Sequence, residues 1–200
     1  MSKEVTFFVN GILTFPANSR DWNYRAVVWT QVRRDGHAQA VEYFCGPIGR
    51  AFGQKKRAAK IAELLLAYQG WEINLVGHSN GCAVILAALD SLLVYPQIKA
   101  IHLVSAACEA DFNFNGLNEA IENGKVEKVC VYRGAKDLAL RIASGSLGKL
   151  LGYGVLGLIG PQNVSESAKD KVGVITWSDF GHGTCFEPQH FEKTMRHFFS

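Results

Sequence analysis

Six short apolar runs recur along this chain, each bounded by glycine, proline or charged residues. Continuous runs of this kind, rich in Val, Ile, Phe and Tyr, are typical of strands buried on both faces of a sheet. We therefore predict strands over VTFFV (5–9), AVEYFC (40–45), EINLVG (72–77), IKAIHLVSAA (98–107), KVEKVCVYRG (125–134) and KVGVITW (171–177).

Between these runs the apolar residues change to a spacing of three and four, which is typical of a helix with one buried face. This spacing predicts helices over 22–34, 53–69, 80–93, 117–124 and 188–199. Strands that alternate with helices favour βαβ units with right-handed crossovers. The predicted fold class is α/β, with a mostly parallel six-stranded sheet covered by helices on both faces and no large cap domain.

The composition favours one globular domain over residues 1–200. Hydrophobic residues make up 48% of the chain, enough for a sizeable core, and no Pro/Ser-rich linker divides it. The formal net charge is only +3, and the basic run QKKRAAK (54–60) leads directly into IAELLLA, as a solvated helix face would. We therefore expect no nucleic-acid partner.

Cysteine usage and the start of the chain point to the cytoplasm. The five cysteines are scattered, and they form no C-x-x-C or Cys/His pair at metal spacing: Cys45, Cys82, Cys108, Cys130 and Cys185. Such cysteines are typical of reduced, buried thiols. The start, MSKEVTFFVNG, has an acidic residue and an apolar run too short for a signal peptide. We expect a cytoplasmic protein without a transmembrane segment.

Residues 77–81, GHSNG, fit the pattern G-x-S-x-G. In this pattern a strand turns sharply into a helix and lifts a serine hydroxyl off the end of the sheet as a nucleophile. Glycines are needed on both sides because the serine backbone is strained and a nearby side chain would collide. The predicted strand before Ser79 and the apolar helix after it supply the setting that the motif requires.

An acid and a histidine follow the last two predicted strands. Asp137 comes directly after the fifth strand, and His182 directly after the sixth. A serine hydroxyl needs a base to take its proton and a carboxylate to orient that base. Because sites in such sheets lie at the carboxyl ends of the strands, Ser79, Asp137 and His182 are predicted to form a catalytic triad.

The motifs GHSNG (77–81), GAKD (134–137), GHG (181–183) and Asn10-Gly11 together resemble the α/β-hydrolase family over nearly the whole chain. The resemblance implies a minimal member, similar in size to small cutinase-like or lipase-like hydrolases, that starts at the family's third strand.

The same resemblance implies an oxyanion hole after the first strand. The family usually has His-Gly there, whereas this chain reads Asn10-Gly11-Ile12. By analogy, the backbone N–H groups of Asn80 and Ile12 would bind the oxyanion, with Leu13 as the alternative to Ile12. We also place Leu13 and His78 beside the substrate, with His78 packed next to the elbow and able to bond a nearby backbone carbonyl.

The identity of the acid has alternatives. Glu109 and Asp111 follow the fourth strand, where some members of the family place their acid, and either could replace Asp137. Asp179 precedes His182 too closely to be preferred.

Segment 138–167 mixes glycine with leucine and has two interpretations. It is either an ordinary helix with an irregular loop packed on the sheet, or a glycine-hinged apolar flap that walls the acyl pocket and touches lipid. Its apolar run YGVLGLIG (153–160) is about half as long as a membrane span.

These expectations lead to a serine hydrolase, esterase-like or lipase-like, that cleaves carboxylic esters through an acyl-enzyme. Its substrate would be a small ester or acyl compound, including lipid. The alternatives are a thioesterase, an amidase or an acyltransferase on the same triad, or a catalytically silent binding module, because pocket shape selects the leaving group. No cofactor or metal is expected, since no histidine has a partner at metal spacing and His102 lies inside a strand.

Overall fold

The computed structural model describes residues 3–12, 21–41, 43, 46, 53–92, 96–113, 116–146 and 153–200. Its strands are β1 (Glu4–Val9), β2 (His37–Val41), β3 (Glu72–His78), β4 (Ile98–Val104), β5 (Val126–Gly134) and β6 (Val172–Trp177). They form one sheet in the order β2-β1-β3-β4-β5-β6, and every neighbouring pair is parallel. The predicted parallel six-stranded sheet is therefore confirmed.

Helices cover both faces of this sheet. In chain order they are α1 (Trp22–Arg34), α2 (Gln54–Ala67), α3 (Asn80–Asp90), α4 (Leu117–Glu122), α5 (Leu138–Ala143), α6 (Leu156–Ile159) and α7 (Pro188–Phe198). One face packs α1 and α7 around Phe8, Trp22 and Met195. The other packs α2, α3 and α4 around Leu65, Ile85 and Ile121.

The central strands β1, β3 and β4 are buried along almost their whole length, as their continuous apolar runs predict. Helix α3 is buried nearly all round, because it packs on β3 and β1 and against α2. The first residue of α3 is therefore held directly against the ends of the central strands.

Strand β2 begins three residues earlier than predicted. Asp35 takes a left-handed conformation (φ 51°) at the end of α1, so the chain turns at Gly36 and pairs with β1 from His37 onward. The prediction of 40–45 followed the aromatic residues instead. Edge strand β2 is only partly buried, with Ala38 and Val41 as its buried residues, while residues 42, 44 and 45 lie outside the described part of the chain.

Two further observations concern the described residues as a whole. None of their helices has the length and apolar character needed to cross a membrane. Cys82, Cys108, Cys130 and Cys185 are all buried free thiols, as predicted, and Cys45 lies outside the described residues.

Candidate active site

Ser79 stands at the sharp turn between β3 and α3. Its backbone angles are φ 54° and ψ −122°, outside the region that side-chain-bearing residues ordinarily adopt. Such a conformation costs about 1–3 kcal/mol and persists only where neighbours hold it. Here the Ser79 N–H donates to Val104 O at 2.9 Å, and Ser79 O accepts the N–H of Ala107 at 3.2 Å.

Both glycines of the GHSNG motif lie where a side chain would collide. A Cβ on Gly81 would stand 2.3 Å from Val9 O and 2.6 Å from Asn10 O. A Cβ on Gly77 would stand 2.8 Å from Ile85 Cδ1 and 3.0 Å from Cys82 N. The elbow therefore packs directly on the end of β1 and on the first turn of α3.

Asp137 and His182 meet beyond the ends of β5 and β6. His182 Nδ1 lies 2.9 Å from Asp137 Oδ2 and 3.1 Å from Oδ1. Asp137 is fully buried and also begins helix α5, where its Oδ1 accepts the Leu140 N–H at 2.9 Å. One carboxylate thus caps a helix and orients an imidazole.

The charge state of Asp137 follows from these contacts. Burial raises the pKa of its carboxyl, but hydrogen bonds from His182 and the Leu140 N–H outweigh burial, so the net pKa lies below the usual value. The side chain of Ser105 acts in the same direction. An ionised carboxylate only accepts hydrogen bonds, so the proton of neutral His182 belongs on Nδ1 and its Nε2 carries a lone pair.

Ser79 and His182 line the same cavity. The Ser79 hydroxyl makes no hydrogen bond to His182 within the described part of the chain, where the polar contacts of His182 are those with Asp137 and His78. Long serine–histidine distances are common before substrate binds and shorten in the complex.

The alternative acids lie elsewhere. Glu109 Oε1 accepts the backbone N–H groups of Ala110 and Asp111. Asp111 accepts from the Asn113 N–H and the Asn163 side chain, and Asp179 pairs with Lys136 at 3.3 Å. Of the four acids considered, only Asp137 is brought into hydrogen-bonding contact with His182.

The turn after β1 lies against the elbow. A Cβ on Gly11 would stand 3.0 Å from Ser79 Cβ and 3.4 Å from its Oγ. Asn10 holds this turn, because its Oδ1 accepts both the Gly11 N–H at 2.8 Å and the Trp22 Nε1–H at 2.7 Å. Ile12 lines the cavity next to Ser79, and Asn80 belongs to the first turn of α3, the positive end of the helix dipole. Leu13 lies outside the described residues.

His78 is a partly buried neighbour of His182. Its ring centre lies 4.9 Å from that of His182, and its Nε2 lies 2.7 Å from the His182 carbonyl oxygen. Burial, followed by the nearby His182, lowers the pKa of His78 to about 3. The His78 side chain therefore bonds a backbone carbonyl of the neighbouring loop.

The cavity has a volume of about 410 Å³ and a mainly apolar wall. One side of the wall comes from α5, through Leu140, Ile142 and Ala143, and another from Tyr153. Ile142 is 80% exposed and stands at the rim. His182 is the only ionisable side chain other than Tyr153 among the described residues that line the cavity.

The glycines of segment 138–167 include two at close backbone contacts. A Cβ on Gly154 would stand 2.0 Å from the carbonyl group of Cys108, and one on Gly157 would stand 2.2 Å from Ala106 N. The Gly157 N–H also donates to Ala106 O at 2.9 Å. This part of the segment packs on the loop after β4, and residues 147–152 lie outside the described residues.

Ser105 was missed by the sequence-based prediction. It directly follows β4 with a left-handed φ of 45°, is 3% exposed, and lowers the pKa of Asp137. A signal was present, because the small residues Ser105, Ala106 and Ala107 follow the strand that lies beside the elbow.

No metal-binding group of three or more His, Cys, Asp or Glu side chains occurs among the described residues. Burial raises the pKa of the Cys185 thiol to about 12, so this cysteine stays protonated and packs in the core, as predicted. His102, also predicted to lie in the core, is 3% exposed and bonds Tyr132 through Nδ1 at 2.9 Å.

The sequence matches no protein-family model and no curated protein. Several solved structures are nevertheless similar to the whole chain. The alpha/beta hydrolase domain-containing protein 10 from mouse is 15% identical, with a TM-score of 0.56 over 96% of this chain and 87% of that one. Est1E from Butyrivibrio proteoclasticus is 14% identical, with a TM-score of 0.55 over 99% and 87%.

The mature lipase BlEst2 from Bacillus licheniformis is also 14% identical, with a TM-score of 0.55 over 98% of this chain and 92% of that one. Similarity at these identities identifies the fold. The chain has an α/β-hydrolase fold, and the expectation drawn from its motifs is confirmed to that extent.

Proposed function

We propose that this chain, with its α/β-hydrolase fold, is a serine hydrolase that cleaves uncharged carboxylic esters with apolar acyl groups. The observation that carries the proposal is the buried Asp137 carboxylate bonded to His182 Nδ1, together with a strained Ser79 that lines the same apolar cavity as His182. Such a grouping supplies a nucleophile, a base and the group that orients the base.

In the proposed reaction, Ser79 Oγ attacks the ester carbonyl carbon while its proton passes to His182 Nε2. Asp137 stabilises the imidazolium that forms. The tetrahedral intermediate then collapses, the C–O bond to the alcohol breaks, and His182 returns the proton to the departing alcohol. Water repeats the attack on the acyl-enzyme, which releases the carboxylic acid and restores the Ser79 hydroxyl.

Negative charge develops on the carbonyl oxygen in both halves of this cycle. We assign its stabilisation to the backbone N–H groups of Asn80 and Ile12. Asn80 stands at the positive end of helix α3, and the turn that carries Ile12 is held against Ser79 by Asn10. Removing one such donor typically raises the barrier by ~3 kcal/mol.

The cavity wall supports an uncharged, apolar acyl group. The described lining residues include no Lys, Arg, Asp or Glu, so a charged acyl group would lose its hydration without gaining a partner. Each methylene that leaves water is worth about 0.8 kcal/mol, or roughly a fourfold gain in kcat/KM. The name of the lipase BlEst2 agrees with this substrate class.

A fluorophosphonate probe tests the nucleophile. Wild type should be labelled on Ser79, and Ser79→Ala should not. Labelling of the Ser79→Ala variant at a comparable rate would refute the assignment of the nucleophile.

A panel of p-nitrophenyl esters of increasing acyl length tests the substrate class. We expect kcat/KM to rise about fourfold per methylene until the cavity is filled. Acyl thioesters and anilides of the same acyl groups serve as matched competitors, because they change only the leaving group. Faster turnover of a thioester or an anilide would reject ester hydrolysis in favour of that chemistry.

A further inference from the structure

The side chain of His78 connects the turn at Ser79 with the loop that carries His182. His78 directly precedes Ser79 at the end of β3, whereas His182 lies 104 residues later, beyond β6. His78 Nε2 lies 2.7 Å from the carbonyl oxygen of His182, the proposed base, and this hydrogen bond links the elbow to the His182 backbone.

The direction of this hydrogen bond is fixed by chemistry. A backbone carbonyl only accepts, so His78 Nε2 must carry the proton and donate. Burial and the neighbouring His182 lower the pKa of His78 to about 3, so its ring is neutral at the pH of any ordinary assay. A neutral ring has one N–H, and this bond uses it.

The His78 ring is itself held firmly. It packs edge-on against Phe186, with ring centres 5.3 Å apart, and against Trp22 at 6.2 Å. Trp22 in turn is anchored to Asn10 through its Nε1–H. The donor nitrogen therefore belongs to a ring that packs against two aromatic side chains.

Other hydrogen bonds also hold the loop that carries His182, but they are made by residues next to His182 and not by His182 itself. The Lys136 N–H donates to Phe180 O at 3.1 Å, and the Gly181 N–H donates to Thr184 Oγ1 at 3.0 Å. In the part of the chain that the structure describes, the bond from His78 is the one hydrogen bond made by the His182 backbone.

We propose that His78 is a positioning residue, whose Nε2–H fixes the His182 carbonyl and thereby sets the height of the His182 imidazole over Ser79. The inference rests on the proposed function, because its consequence is expressed through the reaction of Ser79 with His182. Two hydrogen bonds then determine the position of the His182 imidazole. Asp137 holds the ring at Nδ1, and His78 holds the backbone carbonyl.

This role predicts a particular kinetic signature. A misplacement of about 1 Å can lower a rate ~100-fold, because the reacting atoms no longer meet at the required distance. The apolar wall that binds the acyl group does not include His78. Loss of the bond should therefore lower kcat about 10- to 100-fold and leave KM within about twofold.

Two substitutions separate the hydrogen bond from the ring. His78→Gln keeps an N–H donor near the position of Nε2 but has no imidazole, whereas His78→Phe keeps the aromatic packing and has no donor. We expect His78→Gln to retain most of the wild-type kcat and His78→Phe to lose it. Wild-type turnover by His78→Phe, or an equally large loss in both variants, would overturn the proposal.

A second measurement does not depend on turnover. The His182 Nδ1–H that is bonded to Asp137 should give a slowly exchanging NMR signal in wild type and His78→Gln, and an exchange-broadened one in His78→Phe. If His78→Phe does not fold, His78→Leu replaces it as the variant without a donor. An unchanged signal in the folded variant without a donor would also overturn the proposal.

A double variant tests whether His78 acts through His182. In the His182→Ala background, His78→Phe should change the residual kcat less than twofold, and a further tenfold loss would overturn the inference. Failure of the proposed function gives a different result, because wild type itself would then show no turnover that depends on Ser79.

Discussion

The contact between Asp137 and His182 makes a sharp prediction for Asp137→Asn. Asp137 Oδ1 caps α5 by accepting the Leu140 N–H at 2.9 Å, while Oδ2 is the oxygen nearer to His182 Nδ1, also at 2.9 Å. In the variant, the Leu140 N–H requires the amide oxygen at the Oδ1 position. The amide NH2 group must then occupy the Oδ2 position and face His182.

Two donors cannot share one hydrogen bond, so the variant forces the His182 proton from Nδ1 to Nε2. Nε2 then has no lone pair with which to take the proton of Ser79. In serine proteases the equivalent substitution lowers kcat ~10⁴-fold through the same change of tautomer. We expect a similar loss here, which corresponds to about 5 kcal/mol in the barrier.

The fold should survive this change, because the helix cap and the shape of the side chain are kept. Urea unfolding is expected to show a loss of no more than about 1–2 kcal/mol, as for one altered buried hydrogen bond. The assay is kcat for a p-nitrophenyl ester at pH 7, measured on protein whose folding has been checked by urea titration.

Matched controls come from the alternative acids, with Asp111→Asn and Glu109→Gln expected to stay within about twofold of wild type. Both carboxylates accept backbone N–H groups in a neighbouring loop, and the amide oxygen of each variant can do the same. If Asp137→Asn keeps more than a tenth of the wild-type kcat, or if either control variant loses ~10³-fold, Asp137 is not the acid of the triad.

Three further predictions concern packing, pH and the cavity. Gly81→Ala should lower kcat by at least about tenfold and cost about 1–3 kcal/mol of stability, because its Cβ would meet Val9 O at 2.3 Å. Gly46→Ala is the control in both assays, because its added Cβ would meet no atom of the described residues within 4 Å. Burial, and to a lesser extent the charge of Lys128, lower the pKa of His102 from 6.5 to about 3, so its ring is neutral in the folded chain. Between these pH values the unfolded chain binds more protons than the folded chain. The free energy of unfolding therefore falls as pH drops from 6.5 toward 3. His102→Phe should therefore reduce the slope of unfolding free energy against pH by about 1.4 kcal/mol per unit between pH 4 and 6, and an unchanged slope in urea titrations would contradict that charge state. Ile142→Ser, at the cavity rim, should lower kcat/KM about three- to tenfold for esters of the longest accepted acyl chains. The kcat/KM for acetyl esters should stay unchanged. An equal loss for both kinds of ester would place Ile142 outside the path of the acyl chain.

The sequence predicts the parts of this molecule that depend on local pattern. Continuous apolar runs predict the central strands, and the glycines of GHSNG predict a tight turn. In the structure, a Cβ added at either glycine would collide with neighbouring atoms. Asp137 and His182 could be chosen because carboxyl ends of parallel strands share one edge of the sheet. Their direct contact, and the absence of such a contact for Asp111, depends on loop conformations that no periodicity encodes.

Strand β2 shows the limit of the same reasoning. Its pairing with β1 is set by the left-handed residue Asp35, which decides where the chain turns after α1. Asp and Asn tolerate this conformation, but nothing in the pattern states that Asp35 adopts it. The prediction therefore starts the strand at Ala40, three residues later than the structure does.

Several glycines around the site lie at close contacts between two backbone segments. Gly154 and Gly157 lie against backbone atoms of the loop after β4. Gly134 behaves in the same way, since a Cβ there would stand 2.6 Å from Phe180 O, in the loop that leads to His182. With Gly81 against the end of β1, these contacts bring strand ends and loops together through backbone atoms. The relative positions of Ser79, Asp137 and His182 are therefore set by where glycine permits two backbones to touch, and a single added methyl group at such a contact should disturb the site more than many larger changes in the cavity wall.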